Sequence, residues 1–268
     1  MKRLVLAFDG SEGSMGAVTA LSHLDLAAWT VELVTVVPTG EWPSRQVAKR
    51  RTHVQRTLER RGAQVSPRLL EGEPAAAVLE VADQVNADLI VLGPRRIPSL
   101  LERVFGTVSR AVIRRARCCV MVGRLTLAKE SALLVIGDEG DVRAFGSWWP
   151  RLPIPSQMAL AMQIVVPEPA SVDVEVPAQI LHTDARSIER YRAAARASSR
   201  SAIEQSMRRV VGPATTLTAD PSDYSDRVAA IISAERLAAA ELILLRNSRG
   251  GDLELLAAQS GASLILLP

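Results

Sequence analysis

The sequence predicts an α/β chain of two tandem modules, each a five-stranded parallel sheet of Rossmann-like type, related by a pseudo-twofold. Three observations lead there. Strand and helix signals alternate along the whole 268 residues, the order that builds parallel sheets with helices on both faces. Runs such as Ala87–Leu92, apolar but for Asp88, show no alternation, as strands buried on both faces do not. Finally, endings recur: Leu6-Ala7-Phe8-Asp9 is echoed by Val135-Ile136-Gly137-Asp138, and Val36-Val37-Pro38 by Val165-Val166-Pro167. An internal duplication explains the echo, dividing the chain into residues 1–124, a joint at 125–131, and residues 132–268.

In the first module Arg3–Phe8 reads as a strand and Gly10–Ser14 as a turn before a helix over Met15–Leu24. Thr30–Val37 is a strand stopped by Pro38, and Ser44–Arg61 a strongly basic helix closed by Gly62. Val65–Leu70 is the third strand; Pro74 then suits the first position of a helix over Ala75–Val85. Strand four, a long loop, a helix over Val108–Ala116 and a strand over Cys118–Val122 complete the module. In the second, strands are expected at Ala132–Gly137, Met158–Val166, Ala214–Ala219, Glu241–Leu245 and Ser263–Leu267. Helices are expected over Ser187–Val211, from Asp220-Pro221 to about Ala240, and briefly between the last two strands. The terminal strands of the two modules are the edges expected to meet, since pairing would cover both.

Aromatics are only 3% of a chain that is 48% hydrophobic, so Val, Leu, Ile and Ala must build the core. No apolar run reaches the roughly 18 residues of a membrane span, and the N-terminal apolar stretch is too short for a signal peptide; a cytoplasmic protein without a membrane partner is the expectation. The adjacent Cys118 and Cys119 point to opposite faces of a strand and are read as small apolar residues. Residues 1–124 carry a net charge of +6 and residues 125–268 one of −3. Seven arginines fall between Arg95 and Arg117; without interleaved aromatics they suit a small anionic ligand, and nucleic acid is not expected as a partner.

The functional signal is the stretch from Gly93 to Thr107. Gly93 ends a buried strand, a loop follows, and Gly106-Thr107 opens a helix. Backbone N–H groups unobstructed by a Cβ can approach an anion there, and the helix N-terminus favours negative charge.

These residues resemble the universal stress protein family in its tandem form. The matching features are Asp9-Gly10-Ser11, Val36-Val37-Pro38, Glu71-Gly72-Glu73-Pro74, Ala87–Gly93 and Val120-Met121-Val122. The family's nucleotide pattern is Gly, two residues, Gly, nine residues, Gly, then Ser or Thr. Here it reads Gly93, two residues, Arg96, nine residues, Gly106, Thr107, so the spacing is kept and one glycine is replaced. The resemblance implies ATP, with Mg²⁺ as its candidate counter-ion, at the carboxyl ends of the first module's strands. It implies that Asp9 and Val36, beside Gly10 and Ser11, face adenine and ribose. Leu92 and Gly93 would line strand four, while Gly106, Thr107 and Val108 would cradle phosphates. Arg96 would either fill the site or pair a phosphate bidentately.

Between its last two strands the second module has 17 residues where the first has 25. It is therefore expected to be degenerate, structural and free of nucleotide. The chain so read is a stress-response or regulatory protein, not an enzyme and at most a slow ATPase, with a homodimer and an unknown protein partner implied. The alternative is a nucleotide-independent dimeric adaptor; a nucleotide-processing enzyme ranks last, since no general base, metal cluster or activated nucleophile is visible. His23, His53 and His182 form no evident ligand cluster, and Asp138, Glu139 and Asp141 read as a polar turn capping a helix.

Overall fold

The computed structural model describes residues 2–96, 103–124, 130–165, 185–217, 227–247 and 252–268. The first half contains β1 (Lys2–Ala7), α1 (Glu12–Ser22), β2 (Trp29–Val37), α2 (Arg45–Arg60), β3 (Gln64–Glu71), α3 (Pro74–Val85) and β4 (Leu89–Leu92). A two-residue antiparallel ladder follows, β5 (Arg95–Arg96) on β6 (Arg103–Val104), then α4 (Thr107–Arg115) and β7 (Cys119–Val122). The second half contains β8 (Ser131–Ile136), α5 (Glu139–Trp148), β9 (Ala159–Ile164), α6 (Ala185–Val211) and β10 (Thr215–Leu217). It closes with α7 (Arg227–Leu237), β11 (Leu242–Arg246), α8 (Asp252–Gln259) and β12 (Ser263–Leu267).

Ten strands form one sheet in the order β10-β9-β8-β11-β12-β7-β4-β1-β2-β3. Each half is a parallel five-stranded run, and the two runs mirror each other about the β12–β7 pair, which is antiparallel. The pairing expected of the terminal strands is thus present, with Leu264 opposite Val122 and Leu266 opposite Val120. Because that junction is antiparallel, the strands of the two halves point their carboxyl ends in opposite directions.

Alternating strand residues feed two cores. Leu4, Leu6, Leu33, Val91, Leu134 and Met162 share one core with Leu21, Val54, Leu58, Phe145 and Met207 of α1, α2, α5 and α6. Val5, Val34, Ile90, Leu92, Leu133 and Ile243 share the other core with Val78, Val112, Ile231 and Leu256 of α3, α4, α7 and α8. Central strands β8 and β12 are buried throughout, which explains their unbroken apolar sequence. Edge strand β3 is largely exposed and carries Pro67, as an edge tolerates.

Two boundaries differ from expectation for local reasons. Helix α1 starts at Glu12 because Ser11 caps it, its hydroxyl accepting from the Ser14 N–H at 3.2 Å. The loop after β4 is not continuous coil, since β5 and β6 pair within it. The expected start of α7 at Asp220-Pro221, and His182, lie outside the described residues. Cys118 and Cys119 are buried; burial, aided by Asp88, pushes the Cys118 thiol up to about 12.

The seam between halves is fastened by Arg124, which is 2% exposed. Its backbone N–H donates to the Ser263 hydroxyl at 2.9 Å, and its guanidinium donates to the carbonyls of Ser260 and Ala257 at the end of α8. Arg124→Ala removes the donor of both carbonyls, and is expected to cost about 3 kcal/mol in urea unfolding. A loss below about 1 kcal/mol would show that the seam does not depend on it.

Candidate functional site

At the carboxyl end of the first half's strands lies a cavity of about 500 Å³, within the range of small-molecule sites. Its floor is apolar, formed where β1, β2 and β4 end at Ala7, Val34, Val36 and Leu92. One wall is the first turn of α1, another is Pro74 and Val78 of α3, and a third is the start of α4 from Gly106 to Ser109.

The loop after β1 is set by its own hydrogen bonds. The Asp9 carboxylate accepts from the Ser11 N–H at 2.8 Å, and Gly10 takes φ +78°, a conformation that suits glycine. Gly10 is not on the cavity wall; a Cβ there would press on Val47 of α2, and its carbonyl accepts from the Arg50 guanidinium. Burial alone would raise the Asp9 carboxyl, but hydrogen bonds from Ser11 and Ser14 outweigh it and hold the group below its ordinary value.

The exit of β4 depends on a contact between two glycines. A Cβ on Gly93 would collide with the backbone of Gly13, and one on Gly13 would collide with the Pro94 carbonyl. With neither present, the chain leaving β4 crosses the first turn of α1 at backbone contact, and the cavity forms beside the crossing. The Ser109 hydroxyl donates to the Gly93 carbonyl at 3.4 Å, tying α4 to the same place. Gly106 is the N-cap of α4 and supplies no side-chain acceptor, so the opening N–H groups of that helix lack a side-chain cap beside the cavity.

Asp9, Ser11, Val36, Leu92, Gly93, Gly106, Thr107 and Val108 therefore border a single space. The backbone of Arg96 pairs with Arg103; where its guanidinium lies is outside the described residues. Sequence reasoning missed Gly13, Pro74, Val78 and Ser109. Gly13 stands three residues from both Gly10 and Gly16, but only the crossing with Gly93 gives that glycine its purpose.

The corresponding end of the second half is built differently. Asp138 caps α5, reciprocally with Asp141, as the polar turn suggested. Arg246 ends β11 as Leu92 ends β4. Its Nη2 lies 3.0 Å from Asp138 Oδ2 and its Nε 2.7 Å from Asp141 Oδ1. Asp141 is buried and also accepts from the Gly137 N–H at 2.6 Å. The guanidinium sits so close to Gly140 that a Cβ there would overlap it. Burial raises the Asp138 carboxyl, but the Asp141 N–H and the Arg246 charge bring it below its ordinary value.

Comparison with known proteins gives one family model, described as the universal stress protein family, matching residues 1–124. A universal stress protein of Thermus aquaticus is 31% identical over 136 residues, covering 46% of this chain and 98% of that one. Another, from Methanocaldococcus jannaschii, is 28% identical over 137 residues, 45% of this chain and 81% of its own. Among solved structures, a universal stress protein from Archaeoglobus fulgidus superposes with a TM-score of 0.66 at 14% identity. The match covers 99% of this chain and 97% of that one. A functionally unknown protein from Pseudomonas aeruginosa gives 0.65 at 9% identity, covering 100% and 92%. These two structures share the fold over the full length.

Asp9 and Asp138 both lie below the ordinary value of 3.8. Their ionised forms stabilise the folded chain above that pH, and the contribution disappears as pH falls through the lower folded values. Asp9→Asn is expected to flatten the loss of urea stability between about pH 5 and pH 3; an acid limb identical to that of the parent would contradict the assignment.

Proposed function

The chain belongs to the universal stress protein family, and on that premise we propose that its first half binds ATP, or another adenine nucleotide, as a regulatory ligand. The observation that carries this reading is the convergence of the family-matched positions, from Asp9 to Val108, on one cavity. Val36 and the apolar floor suit a base, and the Asp9 carboxylate is a natural acceptor for ribose or amino donors. The uncapped start of α4 suits phosphates, since its N–H groups and dipole favour an anion. In this reading the Asp9 carboxylate faces base or ribose, since it would repel the phosphates. Mg²⁺ in this reading rides on the phosphates; among the described residues no group of three or more His, Cys, Asp or Glu converges to hold a metal.

In the same reading residues 132–268 form a structural module without nucleotide. Arg246 supports it: the guanidinium held between Asp138 and Asp141 fills the end of β11 that corresponds to the Leu92 side of the first cavity. The functional division follows modules 1–124 and 132–268, with 125–131 joining them. The protein acts by ligand-biased conformation or partner choice in the cytoplasm, without chemical turnover.

Calorimetric titration of the full chain with ATP tests the proposal. Gly106 has φ −70° and ψ 171°, which Asp also adopts, and Asp is a good N-cap. Gly106→Asp is thus expected to leave folding intact while placing a carboxylate on the N–H groups meant for phosphate. ATP affinity should fall at least about tenfold, equivalent to about 1.4 kcal/mol. Equal affinity in parent and variant would refute the site. Absence of binding by the parent, restored by Arg96→Gly, would favour the nucleotide-independent adaptor, and sustained release of ADP would favour an enzyme.

A further inference from the structure

A second surface stands out independently of the nucleotide reading. Between Arg45 and Arg61 the chain carries seven Lys or Arg residues and one acid, Glu59. Helix α2 buries Val54 and Leu58 against the sheet, so its opposite face is turned to solvent. Arg45, Lys49, Arg56 and Arg60 fall on that face at spacings of four, seven and four residues, and all four are exposed. At 1.5 Å per residue they make a stripe about 22 Å long. Exposed His53 and Thr52 lie on the same face.

Two features set this stripe apart from an ordinary solvated helix. Some cations elsewhere are paired: Arg68 with Glu32 at 2.7 Å, Arg110 with Glu254 at 3.1 Å and Arg208 with Glu204 at 2.9 Å. No such ion pair involves the four stripe residues among the described residues. Like charges four apart, and a cation in the first turn of a helix, both oppose helix formation, so the arrangement is kept against local stability. Second, Trp42, two residues before the Ser44 cap, is 84% exposed, whereas Trp29 is buried. An indole left in water at the head of a line of cations is a stacking platform beside an electrostatic track.

We propose that Trp42 and the outer face of α2 form a docking surface for single-stranded nucleic acid. The polynucleotide backbone runs along Arg45, Lys49, Arg56 and Arg60, and a base stacks on Trp42. Sequence reasoning set nucleic acid aside because the arginines of 95–117 lack aromatics; α2 is a different cluster, and its aromatic lies outside the helix. The long narrow shape favours a strand over a membrane. The apolar face of α2 is already committed to the core, leaving no amphipathic side to insert into lipid.

The test is fluorescence anisotropy of the full chain with a labelled 20-nucleotide oligouridylate in 50–200 mM KCl. Four phosphate contacts predict a slope near −3 for log K against log salt, or about fifty-fold weaker binding across that range. The variant Lys49→Gln/Arg56→Gln/Arg60→Gln changes only exposed side chains, so circular dichroism should match the parent. Its slope should fall to about −1. Trp42→Ala should weaken binding about tenfold and abolish the quenching of tryptophan emission by the oligonucleotide. Failure of the parent to bind at 50 mM salt would overturn the proposal, as would an unchanged slope in the triple variant. Binding to phosphatidylglycerol vesicles without binding to the oligonucleotide would assign the surface to lipid and overturn it equally.

Discussion

The antiparallel pairing of β7 with β12 is the constraint on which the rest of the molecule depends. A five-stranded parallel module ends at β7 with an unpaired edge. Joining two such edges gives one ten-stranded sheet and lets helices from both halves cover each face. It also fixes where function can lie. Ligands of open α/β sheets sit beyond the carboxyl ends of the strands, and the antiparallel junction sends those ends in opposite directions. The carboxyl ends of the two halves therefore lie at opposite rims. The seam itself is specific, since Arg124 satisfies the end of α8 from across it.

Divergence is concentrated at the last residues of one strand in each half. In the first, β4 ends in Leu92 and passes to Gly93, whose missing side chain allows backbone contact with Gly13. The product is an open cavity with an apolar floor. In the second, β11 ends in Arg246, and Asp138 and Asp141 hold its charge in place. Removing one partner of such a group leaves the other uncompensated, which makes the arrangement self-maintaining. At that end a long side chain and two carboxylates hold one another.

Much of the sheet was legible because strands buried on both faces are written as unbroken apolar runs, and those runs set β1, β4, β8, β11 and β12 within a residue or two. The duplication was legible in repeated strand endings. Side-chain capping moved the start of α1, a local effect that apolar periodicity does not register. Backbone crossings such as Gly13 with Gly93 join segments 80 residues apart and leave no pattern in either. Arg246 was missed for a similar reason: one arginine after four apolar residues reads as a strand terminus until Asp138 and Asp141 are brought beside it. The cavity residues were found through the family's motif rather than through composition.

On the proposed reading, one rim of the sheet is open to an adenine nucleotide and the other is closed by Arg246. Equilibrium dialysis of the intact protein against radiolabelled ATP, carried to saturation, counts the open rims directly. The account predicts one nucleotide per chain. Two per chain would show that Arg246 does not close the second rim, and none would show that the cavity beside Gly93 is not a nucleotide site.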